Sequence, residues 1–249
     1  MKKRIIMISL LSGLLVGCNS INNSDKIVNN NEIESSHEII SESSICNSYF
    51  DSSSITYEST QSNSESKILE KEYVTFNKNI KLYLNPSVQY SNSYAANLGN
   101  EGAIMNEISN ILEDLLVEHT NIEIYSNNKL PGLALVDSVN ESNNIAVDYH
   151  LALHSNAGGG KGSEGWYTKS SYNFTKSIID SLQKILPYPT RGLKDGSKNL
   201  YELKNTTANA CLIEILFHDD ENQAKFLVNR EQEVAEAIYD GVVNYFKNN

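Results

Sequence analysis

The segment Leu151-Ala152-Leu153-His154-Ser155-Asn156-Ala157-Gly158-Gly159-Gly160 sets a histidine at the end of an apolar run, where the chain turns polar and glycine-rich. Ligands of open α/β sheets collect at such strand ends. A second segment, Ala210-Cys211-Leu212-Ile213-Glu214-Ile215-Leu216-Phe217-His218, holds a lone carboxylate within an apolar run. Burying an ionised group without a partner is costly, so Glu214 is expected to be paired, metal-linked or catalytic. His150 shares a strand face with His154, but four residues at ~3.3 Å each separate their Cα atoms by about 13 Å. Both cannot easily ligate one metal, so His150 is expected to support the site rather than to bind in it. Asn156 and Trp166 are further candidates for supporting the site or touching substrate; Trp166 could equally pack on the sheet. His218 is expected to hold a loop, while His37 and His119 are expected to be solvated. No Cys-x-x-Cys pair occurs, which excludes a cysteine zinc site, and no Gly-x-Ser-x-Gly elbow supports a serine hydrolase.

These residues need a scaffold, and the pattern beyond Glu70 supplies one. Strands are predicted at 80–84, 122–125, 145–154, 165–168, 200–203 and 210–216. Helices are predicted across 104–116, where Ile104, Ile108, Ile111, Leu112 and Leu115 share a face, across 132–143, and across 172–186 before Pro187. A closing helix over 231–246 carries Val234, Ile238, Val242 and Phe246 on one stripe. Alternating elements over about 180 residues imply a single α/β domain with a mixed, mostly parallel sheet of about six strands and helices on both faces.

The two chemical segments, taken with Gly99-Asn100-Glu101 at the start of the first long helix, resemble the ordered motif blocks of zinc-dependent N-acetylmuramoyl-L-alanine amidases. The stretches Arg191-Gly192-Leu193-Lys194 and Leu200-Tyr201-Glu202-Leu203 resemble the family's approach to its catalytic glutamate, and the similarity runs from about Tyr83 to Phe246. The resemblance implies a Zn2+ cofactor with His154 and Glu101 as ligands. It also implies Glu214 as the general base, and peptidoglycan as substrate, cut between the lactyl group of N-acetylmuramate and L-alanine. A carboxylate at Glu101 is also what the positive end of a helix favours on its own account. One departure stands out. The family supplies its first ligand as the histidine of Asp-Pro-Gly-His-Gly, and this chain has Asn85-Pro86-Ser87-Val88-Gln89. Gln89 becomes the candidate third ligand, either through its amide oxygen or by holding a water, and a neutral amide is a weaker zinc donor than imidazole. The missing histidine leaves a second reading open, a degenerate domain that binds wall fragments without cutting them.

The other end of the chain says how such a domain would be delivered. Lys2, Lys3 and Arg4 precede an apolar run ending in Leu15-Val16-Gly17-Cys18, which resembles a bacterial lipobox. Residues 1–17 are expected to be a lipoprotein signal peptide and Cys18 the lipidated terminus; an ordinary secreted protein or an uncleaved anchor are the alternatives. Residues 18–69, dominated by Ser, Asn and Glu, are expected to form a disordered linker with a coil span of roughly 40 Å, or simply a solubilising spacer. The domain at 70–249 would then face the cell wall from the outer surface of the cytoplasmic membrane. Losing the three leader charges takes the formal net charge from −11 to −14. So acidic a chain disfavours nucleic acid and polybasic membrane docking, leaving the lipid as the membrane contact. Of the three cysteines, Cys46 and Cys211 remain, and no disulfide framework is implied. A monomer is expected.

Overall fold

The computed structural model describes residues 71–249. The expected signal peptide at 1–17 with Cys18, the expected linker at 18–69, His37 and Cys46 lie outside the described residues. In chain order the elements are β1 (Lys81–Pro86), α1 (Glu101–His119), β2 (Glu123–Ser126), α2 (Leu135–Ile145), β3 (Tyr149–Asn156), β4 (Glu164–Tyr167), α3 (Tyr172–Leu182), β5 (Leu193–Asp195), α4 (Tyr201–Asn205), β6 (Asn209–Phe217), α5 (Glu221–Asn229) and α6 (Glu231–Lys247).

The strands form one six-stranded sheet in the order β2-β1-β3-β6-β4-β5. All neighbours run parallel except β4 against β6, which is antiparallel. This is the mixed α/β sheet that the sequence pattern implies.

Side chains alternate between the faces of a strand, and that period divides the molecule. Leu82 and Leu84 of β1, Leu151 and Leu153 of β3, and Cys211, Ile213 and Ile215 of β6 join a large apolar layer. Met105, Ile108, Leu112 and Leu116 of α1, Phe174 and Ile178 of α3, and Val234, Ile238 and Val242 of α6 complete it. The intervening residues, Ala152, Ala210 and Leu212, meet Leu203, Leu200 and Trp166 in a thinner layer. His150, His154 and Glu214 share the parity of this thinner face, and so does Asn85. The large layer therefore stabilises the domain, and the thin face is free to hold polar groups.

Gly241 marks the tightest helix contact. A methyl group there would lie 2.6 Å from Ile178 Cα and 2.9 Å from the Ser177 carbonyl oxygen, so α6 can approach the α3 backbone only without a side chain. Gly241→Ala is expected to destabilise the domain by about 1–3 kcal/mol, read as a lower midpoint of thermal unfolding; an unchanged midpoint would show the helices free to separate.

Several expectations need correction. The stretch 200–203 is not a strand: Tyr201–Asn205 forms the short helix α4, because Leu200 and Leu203, three residues apart, pack together on the thin face as one helical turn allows. The strand placed at 145–154 starts only at Tyr149, since α2 runs on to Ile145 and closes through Ala146 at φ 56°. His119, expected in solvent, is half-buried with its ring edge-on to Tyr239. The edge strand β5 and helix α5 were not anticipated.

Candidate active site

β3 and β6 are parallel neighbours with His154 directly across from Glu214, so the imidazole and the carboxylate leave the sheet on the same face. Glu101 arrives from a different layer. Asn100 caps α1 by accepting a hydrogen bond from the Ala103 N–H at 3.0 Å, which fixes the first turn and presents Glu101 at the end of β3. His154 Nδ1 lies 2.9 Å from Glu101 Oε1 and 3.4 Å from the side-chain amide of Gln89. Asn92 ties the group together, donating to Gln89 Oε1 at 2.9 Å and to Glu101 Oε2 at 2.7 Å. The structure thus brings His154, Glu101 and Gln89 to one point.

Charge in this cluster is strongly coupled. Burial would raise the Glu101 carboxyl, but hydrogen bonds from His154 and Asn92 and the nearby imidazole outweigh it and hold it below the usual range. Burial opposes charge on His154, yet Glu101, Glu202 and Glu214 together favour its protonated form. Glu214 is the outlier. Burial is the main cause, with the charges of Glu101 and Glu164 adding to it, and despite the opposing pull of His154 its carboxyl is pushed up to about 7. Its Oε2 is buried with no hydrogen-bond partner. Glu164, paired with Glu214 across β4 and β6, is by contrast held low by its ion pairs with Lys194 at 2.9 Å and with Arg191.

The donors can be tested against a zinc ion. Zinc bonds of ~2.0–2.1 Å in a tetrahedron separate neighbouring donors by about 3.3 Å. The spacings of 2.9 and 3.4 Å around His154 Nδ1 match one edge each. Gln89 turns its amide nitrogen to His154 and its oxygen to Asn92, so it serves as an oxygen donor only by rotating the amide and giving up the Asn92 bond. Among the described residues no group of three His, Cys, Asp or Glu is placed to hold a metal, and Gln89 is the further polar side chain within 3.4 Å of His154 Nδ1. His154, Glu101 and Gln89 fit one small divalent cation, with a weaker third donor than imidazole.

The remaining candidates sit around this point. His150 is fully buried, 2.7 Å from Glu202 Oε1 and 2.9 Å from Ser142 Oγ, and stacked on Tyr83. Asn156 accepts from the Ala157 N–H at 2.8 Å through its side-chain oxygen. Trp166 packs in the thin layer with the Lys194 ammonium 4.9 Å from its ring centre. His218 is buried, stacked on Tyr94 and bonded to Ser155, as a loop-holding residue would be.

The glycine loop after β3 is tied down. Asp219 accepts from the Gly158 and Gly159 N–H groups at 2.7 and 2.8 Å, and the fully buried Gln223 accepts from Gly162 and donates to Gly160. A cleft of about 130 Å³ opens beside the donors, lined by Val88, Gln89, Leu133, Leu135, His154 and Glu202 among others. Sequence reasoning missed two members of the site, Asn92 and Glu202. The signal for Glu202 was a carboxylate held between Leu200 and Leu203, the same warning of burial that singled out Glu214.

Comparison with known proteins places this geometry. A relative, the N-acetylmuramoyl-L-alanine amidase CwlM of Bacillus licheniformis, is 27% identical over 139 residues, 53% of this chain and 54% of the relative. The chain thus spans about half the length of the curated relative it matches. The fold is similar to the N-acetylmuramoyl-L-alanine amidase of Clostridium difficile 630, with a TM-score of 0.62 and 19% identity over 68% of this chain and 97% of that one. It is also similar to AmiC2 of Nostoc punctiforme, at 0.61 and 16% over 68% and 97%. CwlD of Clostridioides difficile, solved in complex with the GerS lipoprotein, gives 0.60 and 19% over 69% and 100%. The sequence profile of the N-acetylmuramoyl-L-alanine amidase family (Amidase_3) matches residues 90–244, more than half of the chain, and the chain belongs to that family.

Proposed function

We propose that the domain is a zinc-dependent peptidoglycan amidase that hydrolyses the bond between N-acetylmuramic acid and L-alanine. The observation that carries this reading is the buried, unpartnered oxygen of Glu214 on the same sheet face as His154, directly across the strand pair. His154, Glu101 and Gln89 would hold the ion. Zinc, when bound, supplies Lewis-acid chemistry, polarising the amide carbonyl and easing deprotonation of water. Glu214 takes the proton from the attacking water and delivers it to the departing L-alanine nitrogen, leaving a lactyl carboxylic acid on the sugar and a free peptide amine. Asn92 holds Glu101 in place, and Glu164 stays ionised, which helps to keep the Glu214 pKa high enough for both transfers.

The test is digestion of purified muropeptides by the zinc-loaded protein, followed by mass spectrometry. The expected products are the intact glycan carrying free lactyl groups and a peptide with an alanine N-terminus. A gain of water at another bond, or no cleavage, would overturn the reading. Gln89 in the family's histidine position favours a second reading, a domain that binds wall fragments without cutting them; stoichiometric zinc in the purified protein counts against it. We further propose, from the residues around Cys18, that lipidation anchors the chain at the outer face of the cytoplasmic membrane, with peptidoglycan within reach of the linker.

A further inference from the structure

Behind His154, on the side away from Glu101, lies a carboxylate that the mechanism above does not use. Glu202, on α4, is 3% exposed. Its Oε1 accepts from His150 Nε2 at 2.7 Å and from the Asn85 amide. Both partners are themselves fixed, His150 by Ser142 and by stacking on Tyr83, Asn85 by the Asn127 amide at 3.0 Å. One oxygen of Glu202 is thus pinned from two directions, and the other, Oε2, is left 3.9 Å from His154 Nε2. The two nitrogens of His154 therefore face different things: Nδ1 meets Glu101 and Gln89, and Nε2 meets Glu202.

We propose that Glu202 is a positioning residue for the metal site, holding the His154 imidazole by its Nε2 edge and strengthening Nδ1 as a donor. The proposal rests on the zinc reading above and names a residue that reading does not need. At 3.9 Å the contact is an ion-pair-range attraction rather than a hydrogen bond, so its effect comes through charge and orientation. A carboxylate behind a ligating imidazole fixes the ring, keeps the proton on the far nitrogen and raises the basicity of the near one. This chain has particular use for such support. Its third donor is a neutral amide where the family has an imidazole, and a buried negative charge one ring away offsets part of that loss. A purely structural role predicts something different, because a residue that only braced His150 and Asn85 would leave zinc affinity untouched in any variant that still folds.

The experiment measures the zinc dissociation constant of the full chain by competition with a chromogenic chelator, for wild type, Glu202→Gln and Glu202→Asp, beside the thermal midpoint of each metal-free protein. Glu202→Gln is expected to weaken zinc about 10–100-fold, and Glu202→Asp, which keeps the charge, to recover most of the loss. Equal affinity in Glu202→Gln and wild type overturns the proposal while leaving the zinc site standing. A wild type that binds no zinc overturns the zinc reading itself, a separate result. A second readout is spectroscopic: in the zinc-loaded forms the nitrogen-15 resonance of His154 Nε2 should differ between wild type and Glu202→Gln, and an unchanged resonance would refute the arrangement.

Discussion

Glu214→Gln is expected to lower muropeptide hydrolysis by about 10²–10⁴-fold, the usual contribution of a positioned general base, while making the metal-free protein more stable. Both effects follow from one buried carboxylate. Its pKa in the folded protein is pushed up to about 7 from an ordinary value of 4.5, chiefly by burial. A carboxyl whose folded pKa is raised binds protons more tightly folded than unfolded, so the contribution of Glu214 to stability falls as pH climbs from about 4.5 to about 7 and changes no further above. Spread over that interval the loss is about 3 kcal/mol at ~1.4 kcal/mol per pH unit. Glutamine imitates the neutral acid at every pH. The variant should therefore unfold several degrees above wild type at pH 8 in the presence of chelator, and the gap should close below pH 4.5. A variant less stable than wild type at pH 8 would mean that Glu214 has a stabilising partner, and retained hydrolysis would mean that the proton goes elsewhere.

The second large effect concerns the donors. His154→Ala removes the one imidazole that faces Glu101 and Gln89, leaving the 1% exposed Glu101 without its 2.9 Å partner. Stoichiometric zinc should be lost, a larger change than the 10–100-fold typical of groups outside the ligand set. Gln89→His should work in the opposite direction. Replacing a neutral amide by imidazole is expected to tighten zinc on the order of tenfold, ~1.4 kcal/mol, with Asn92 still able to reach Glu101. Both are read by metal analysis and chelator competition. Unchanged affinity in Gln89→His would place the third donor elsewhere.

How far these residues could be read in the chain depended on where each one sits. His154 and Glu214 were legible because each interrupts or ends a long apolar strand, whereas their sharing one face follows from the β3–β6 register, which the chain alone does not show. Glu101 was singled out by the resemblance of Gly99-Asn100-Glu101 to the family's ligand block, since a carboxylate in the first turn of a helix is by itself only what the dipole favours. Glu202 was not, because a single turn of helix is too short to show a period, and Leu200-Tyr201-Glu202-Leu203 reads equally well as a strand, which says nothing of which residues its glutamate meets. The fold then turned that side chain inward between two histidines. Helix α5 was hidden for a similar reason: Asp219-Asp220-Glu221-Asn222 looks like a polar loop, whereas Asp220 caps a helix by accepting from the Gln223 N–H at 3.0 Å. Asn92 lay in a stretch between β1 and α1 whose path is set by contacts distant in sequence, such as the bond from the Ala95 N–H to the His218 carbonyl at 2.9 Å.

Removing the metal and restoring it probes the same site from outside. Activity lost to a chelator should return with zinc in wild type and fail to return in His154→Ala, since the donors themselves are gone in that variant. Activity that survives exhaustive chelation would set the zinc reading aside and leave Glu214 to act in some other chemistry.

The most direct measurement is an anomalous difference map at the zinc edge from a crystal of this protein grown with zinc. One peak is predicted, bounded by His154 Nδ1, the Glu101 carboxylate and the Gln89 side-chain amide, with the Glu214 carboxylate facing the open side. A peak away from His154, or none at full zinc occupancy in solution, would contradict the account.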